Sequence, residues 1–190
     1  MAKVKVCIMQ PTLLPYQGYF DLIKEADIFV FFDNVQFKRK SFHHRNKVNL
    51  NGKDTWLTIP VAHNDNKLLN NVNTYDTKAI DKVIKTVKLN YNIDLPQPLG
   101  DRLIDITIPW IETMCGIMGI EYKFVRSSSL GPTDIVEICE ELGCTDYLTT
   151  GGTRDIPQLE EVFNTLNKKG ITVRFIDSEA GYSAIQNIGG

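Results

Sequence analysis

Val4-Lys5-Val6-Cys7-Ile8-Met9, followed by Gln10-Pro11-Thr12-Leu13-Leu14-Pro15 and, after a further dozen residues, by Ile28-Phe29-Val30-Phe31-Phe32-Asp33, is the stretch that decides the fold. The first six residues read as a short strand stopped at Gln10-Pro11. After Pro15, apolar residues fall at Tyr16, Tyr19, Phe20, Ile23 and Ala26, the stripe of an amphipathic helix. Residues 28–32 form an unbroken apolar run, which suits a strand covered on both faces of a parallel sheet. Residues 4–33 thus spell one βαβ unit, with residues 10–15 as its first crossover loop.

Outward from this unit, strands and helices keep alternating. Residues 36–54 are polar, basic and aromatic by turns, with a hairpin-type turn signal at Asn51-Gly52. Residues 55–60 predict a strand, and 63–73 an Asn-rich loop. Ile80, Val83, Ile84 and Val87 mark a helix; Leu103, Ile104, Ile111, Met114 and Met118 mark another, interrupted by Pro109 into a kinked helix or two shorter ones. Residues 121–126 alternate as a strand. Thr133 can cap a helix that stops at Gly143. Tyr147-Leu148 is a short strand, Leu159 to Leu166 a helix, and residues 171–176 a last strand. The pattern predicts an α/β fold: a single domain over residues 1–180 with a wound, mainly parallel sheet. Residues 181–190 read as a loosely held C-terminal tail.

Composition narrows the function. The chain has 190 residues with 21 Lys plus Arg against 23 Asp plus Glu, a net charge of −2. No overall field draws in nucleic acid, and no apolar run is long enough for a membrane span. The start of the sequence runs into a strand rather than a signal peptide, and the four cysteines form no C-x-x-C pair. A cytoplasmic protein with reduced, buried thiols is expected. The three histidines make no metal-ligand spacing with the cysteines, so no metal site is predicted. No nucleophile elbow, P-loop or dinucleotide fingerprint occurs, and the sequence names no cofactor.

In a wound α/β sheet, ligands bind at the carboxyl ends of strands. The loops there are residues 10–18, 33–46, 127–133 and 149–155, and they hold the unusual composition. Gln10 offers both a donor and an acceptor, and Tyr16 closes the same loop. In the second loop Lys38, Arg39, Lys40, Arg45 and Lys47 crowd together with Phe37, Phe42, His43 and His44, which suits phosphate binding beside an acid/base; a solvated basic loop has the same composition. Asp33 follows an apolar strand, and Gln36 and Asn46 can orient a substrate. Ser128 precedes a helix start. Gly151, Gly152 and Arg154 have the make-up of a phosphate cradle without being a P-loop. The expected site is one anion-holding crevice built from all four loops.

Gln10-Pro11-Thr12-Leu13-Leu14-Pro15-Tyr16-Gln17-Gly18-Tyr19-Phe20, with Asp33-Asn34-Val35-Gln36-Phe37, Arg45-Asn46 and Leu57-Thr58-Ile59-Pro60-Val61, resembles the WbqC-like proteins. Ser127-Ser128 and Tyr147-Leu148 with Gly151-Gly152 resemble that family's later blocks. The likeness covers most of residues 4–176. Met9 departs from it, standing where the family usually has a His. Members tend to be encoded among bacterial surface-polysaccharide (O-antigen) genes, so the resemblance implies work on a nucleotide-sugar or amino-sugar precursor. A looser likeness joins the opening βαβ unit to adenylyl-transferring ligases of the nucleotidyltransferase superfamily. Their His-x-x-His positions are Pro15, Tyr16, Gly18 and Tyr19 here.

The resulting expectation is a group transferase acting on a small phosphate-bearing or carrier-linked substrate, in the form of acyl or aminoacyl transfer to an amino sugar or nucleotide-sugar. Asp33 or His44 would be the acid/base. Gln10, Tyr16, Gln36, Lys38, Arg45, Asn46, Ser128, Gly151, Gly152 and Arg154 would bind substrate, and a homo-oligomer is possible. The alternatives are a degenerate nucleotidyltransferase and a non-catalytic nucleotide-sugar binding protein.

Overall fold

Side-chain alternation along β1 (Lys5–Met9) and β2 (Ile28–Phe31) sends Val6, Ile8, Ile28 and Val30 to one face of a sheet and Cys7, Phe29 and Phe31 to the other; all are buried. These strands belong to a computed structural model that describes residues 3–62, 67–74, 76–178 and 181–188. The expected Asn-rich loop therefore lies partly outside the described residues, at 63–66. The chain divides into two compact units: Met1–Met9, Gly18–Phe32 and Glu121–Ala180 in the first, and Gln10–Gln17, Asp33–Ile120 and Gly181–Gly190 in the second.

The first unit holds the α/β sheet. Five strands run parallel in the order β5 (Phe124–Arg126), β2, β1, β6 (Asp146–Thr150), β7 (Thr172–Ile176). Counted within the sheet that order is 3-2-1-4-5, the doubly wound arrangement with its switch point between β1 and β6. Helix α1 (Gln17–Glu25) buries Tyr19, Phe20, Leu22 and Ile23, and Tyr19 meets Phe29 at 5.2 Å between ring centroids. On the other face Val6, Ile8, Ile28, Val30 and Tyr147 pack with residues of α4 (Ile135–Glu141) and α5 (Pro157–Lys168), namely Ile138, Cys139, Phe163 and Leu166. Both faces are covered, which is why β2 reads as an unbroken apolar run. All four cysteines are buried and free.

The second unit is built around an antiparallel hairpin, β3 (Arg45–Leu50) and β4 (Lys53–Thr58), with helices α2 (Thr77–Tyr91), α3 (Ile104–Ile117) and α6 (Ile185–Ile188). Asn51 and Gly52 both take positive φ, +52° and +82°, the two left-handed residues that a tight hairpin turn requires. Pro109 lies within α3 without splitting it. Its ring removes the donor for the Asp105 carbonyl, and Leu99 N–H fills that vacancy at 3.2 Å.

Several expectations need correction. Residues 45–50, where no strand is expected, form β3, and β4 starts at Lys53 rather than at Thr55. The cap of α4 is Asp134, whose side chain accepts from Glu137 N–H at 2.9 Å; Thr133 is one residue too early. Thr149 and Thr150 belong to β6 rather than to the loop after it. The stretch read as a tail carries α6, buries Ser183, Ala184 and Ile185, and forms an antiparallel bridge between Ser183 and Tyr16.

Candidate functional site

In the second unit, residues 10–17 and 33–47 are stitched together by hydrogen bonds. Leu13 N–H donates to the Phe42 carbonyl at 2.8 Å. The Asn46 amide donates to the carbonyls of Leu13 at 3.1 Å and Leu14 at 2.7 Å, while its own oxygen accepts from Lys47 N–H at 2.7 Å. Leu14 sits at φ +46°, a conformation that costs a non-glycine residue and persists only where neighbours hold it. Asn46 is buried and supplies that hold. Ala184 N–H donates to the Pro15 carbonyl at 2.8 Å from the other side.

Two adjacent imidazoles lie on this framework with their protons on different nitrogens. His43 is 2% exposed, and its Nε2 meets Gln10 Oε1 at 2.7 Å. A carbonyl oxygen only accepts, so Nε2 carries the proton and Nδ1 the lone pair. Nδ1 is buried without a partner. Burial, with the charges of His44 and Lys38, lowers the His43 pKa to about 4, so the ring is neutral at neutral pH. His44 has the opposite tautomer: Nδ1 donates to the Ile59 carbonyl at 3.1 Å, leaving the lone pair on Nε2. Both rings pack on Phe37, at 5.6 and 5.5 Å.

The remaining residues named from the sequence divide between the units. Asp33 is fully buried in the second unit, and its carbonyl accepts from Asn70 N–H at 2.9 Å. Arg45 Nη2 donates to the Lys40 carbonyl at 2.9 Å, and its guanidinium lies 4.5 Å above the Trp56 ring. Lys38 is exposed and its carbonyl accepts from Ser41 Oγ at 2.6 Å. Gln36 is exposed and bridges to Leu68; Tyr16 is half-buried. So Gln10, Tyr16, Asp33, Gln36, Lys38, His44, Arg45 and Asn46 share one unit.

Ser128, Gly151, Gly152 and Arg154 belong to the first. Ser128 is exposed in a short 3₁₀ turn. Gly151 opens another, and a methyl group there would land on the Asp177 carboxylate; at Gly152 it would meet open space. Only the first glycine is required by close approach. Asp177 pairs with Arg154 at 2.9 Å, and that guanidinium lies 4.9 Å above Phe175. The Thr153 hydroxyl donates to the Thr150 carbonyl, so the turn uses its own polar groups.

Sequence reasoning singled out His44 and passed over the buried His43–Gln10 pair. Nothing in the run Phe42-His43-His44-Arg45 distinguishes the two imidazoles; only the loop packing does. Among the described residues no group of three or more His, Cys, Asp or Glu could hold a metal ion, and no helix is long and apolar enough to cross a membrane.

A doubly wound parallel sheet with a hairpin-based second unit that carries a basic, histidine-bearing segment defines an α/β protein. The chain belongs to the WbqC-like protein family, whose sequence model matches residues 10–94 and 97–187. It is 37% identical over 57 residues to the uncharacterised protein Rv1507c of Mycobacterium tuberculosis. That match covers 30% of this chain and 25% of the relative. No solved structure gives a significant match.

Proposed function

We propose that the chain is a group transferase of surface-polysaccharide or modified-sugar biosynthesis, passing an acyl or aminoacyl group to an amino sugar held as a nucleotide-sugar or carrier-linked precursor. The observation that carries this reading is His44: a backbone carbonyl fixes its tautomer, and it stands on a basic segment that Asn46 and Leu13 pin against the Gln10 loop. An imidazole anchored through Nδ1–H keeps its lone pair on Nε2, the form a general base needs; that nitrogen is buried here, so the loop must open to let the substrate amine reach it.

With a thioester donor, the amino-sugar nitrogen attacks the carbonyl carbon. The C–N bond forms and the C–S bond breaks. The proton lost by nitrogen passes to His44 Nε2 and then to the departing sulfur. Asp33 is the second candidate for this proton. Arg45 and Lys38 would hold anionic groups, and Gln10 and Gln36 would orient the sugar. Arg154, in the first unit, would hold an anion in exchange for Asp177.

The test is turnover of nucleotide-activated amino sugars with acyl thioesters, read by mass spectrometry, with His44→Gln and Arg45→Ala beside the parent protein. Product from the parent, about 100-fold slower turnover in His44→Gln and a raised KM in Arg45→Ala support the reading. Tight binding with no turnover favours a nucleotide-sugar binding protein. The 3-2-1-4-5 strand order supports a second reading, a degenerate nucleotidyltransferase. Thermal stabilisation by ATP with magnesium, and none by nucleotide-sugars, would favour it.

A further inference from the structure

One face of the β3–β4 hairpin carries, beside Arg45, side chains that the proposed chemistry leaves unused. Register puts Arg45 opposite Thr58, Lys47 opposite Trp56 and Asn49 opposite Asp54, so these six share a face, while Asn46, Val48 and Leu57 point the other way. Trp56 stays 47% exposed on that face. Phe42, 56% exposed, and Tyr182, 38% exposed, approach from separate stretches of chain. Together with Asn46, Lys47 and Gly181, the three rings line a hollow of about 260 Å³. That is room for a single ring system, short of the roughly 300–1,000 Å³ of drug-sized sites.

The polar groups of this hollow are already engaged. The Asn46 amide is bound to Leu13, Leu14 and Lys47. Lys47 pairs with Asp54 at 2.5 Å, and the Tyr182 hydroxyl donates to the same carboxylate. These hydrogen bonds hold the Asp54 carboxyl below its usual range and the Lys47 ammonium above its own. The hollow therefore offers ring faces and few free hydrogen-bonding groups. A sugar, dense in hydroxyls, gains little there; a flat heterocycle gains stacking on each face it presents. At the rim, Arg45 lies over Trp56, and its Nε–H is buried with no acceptor. With Lys47 and Asp54 neutralising one another, Arg45 supplies the excess positive charge.

We infer that this hollow is a base-binding subsite: it stacks the nucleobase of a nucleoside diphosphate between Phe42, Trp56 and Tyr182 and directs the diphosphate toward Arg45. The inference rests on the proposed use of a nucleotide-carried sugar and names the part of the protein that grips the carrier.

The chain has two tryptophans, and Trp110 is fully buried, so Trp56 reports on the hollow by fluorescence. UDP, dTDP, CDP and GDP are titrated into the parent, Phe42→Ala, Tyr182→Ala and Tyr182→Phe proteins, with inorganic pyrophosphate as the phosphate-only probe. The subsite predicts saturable quenching by at least one nucleoside diphosphate and far weaker binding of pyrophosphate. Loss of a stacking ring in Phe42→Ala or Tyr182→Ala weakens that nucleotide by about tenfold or more. Tyr182→Phe keeps the ring, breaks the contact with Asp54 and retains the affinity, which separates stacking from a fold defect. Pyrophosphate binding as well as every nucleotide, or no change in either alanine variant, overturns the subsite. If the alanine variants still turn over a nucleotide-sugar with unchanged KM, the subsite falls and the transferase reading stands. If no nucleoside diphosphate binds up to about 1 mM and no nucleotide-sugar is turned over, both fall.

Discussion

His43 and Asn46 sit three residues apart and do opposite things with burial. His43 is held neutral. An ordinary imidazole titrates at 6.5, and this one at about 4. Between those values the unfolded chain binds more protons than the folded one. Stability is therefore complete above about pH 6.5 and is lost as pH falls towards 4, by up to about 3 kcal/mol. Urea unfolding of the parent above and below this window should show the loss, and His43→Gln should flatten it. Asn46 instead satisfies other groups' needs. Replacing it with Ala strips a donor from the carbonyls of Leu13 and Leu14 and releases the left-handed Leu14. An expected cost of about 2–4 kcal/mol follows from two buried acceptors left wanting. It is measured by the same unfolding experiment. If Asn46→Ala matched the parent's stability, the clamp would not be what holds the loop.

At the scale of elements, the hairpin turn separates local geometry from packing. Gly52 has φ +82°, and nothing lies within 4 Å of where a Cβ would stand. Gly52→Ala should therefore cost about 1 kcal/mol from backbone conformation alone, seen as a lower thermal midpoint with an unchanged circular dichroism spectrum. This same hairpin marks where the sequence was hard to read. The turn at Asn51-Gly52 was legible because its chemistry is local. Strand β3 was not: its inner face is Asn46, Val48 and Leu50, and the polar clamp at its head breaks the apolar alternation that signals a strand. The sheet strands were legible for the opposite reason. Residues 28–31 are all buried, and the run of Ile, Phe and Val says so without help from any distant residue. Of the site, the basic composition of residues 36–47 could be read directly. The tautomers of His43 and His44 could not, because each is set by a partner 33 or 15 residues away.

On the scale of the whole molecule, chain order and compact unit do not coincide. The second unit draws on residues 10–17, 33–120 and 181–190. A fragment of residues 33–120 keeps the hairpin, α2 and α3, yet lacks both the loop that Asn46 clamps and the stretch around Ser183. Such a fragment should give broad, poorly dispersed amide resonances, and adding residues 10–17 and 181–188 by circular permutation should sharpen them. A well-dispersed spectrum from the fragment alone would mean that the outlying stretches are dispensable.

The bridge between Tyr16 and Ser183, with the Ala184 bond to the Pro15 carbonyl, has a consequence for the newborn chain. The loop after the first strand is translated long before the segment that carries one of its fastenings. Nascent protein in which residues 183 and 184 have not yet left the ribosome should therefore hold Gln10 and its neighbours in a protease-sensitive state, and protection should arrive once those two residues are free to pair.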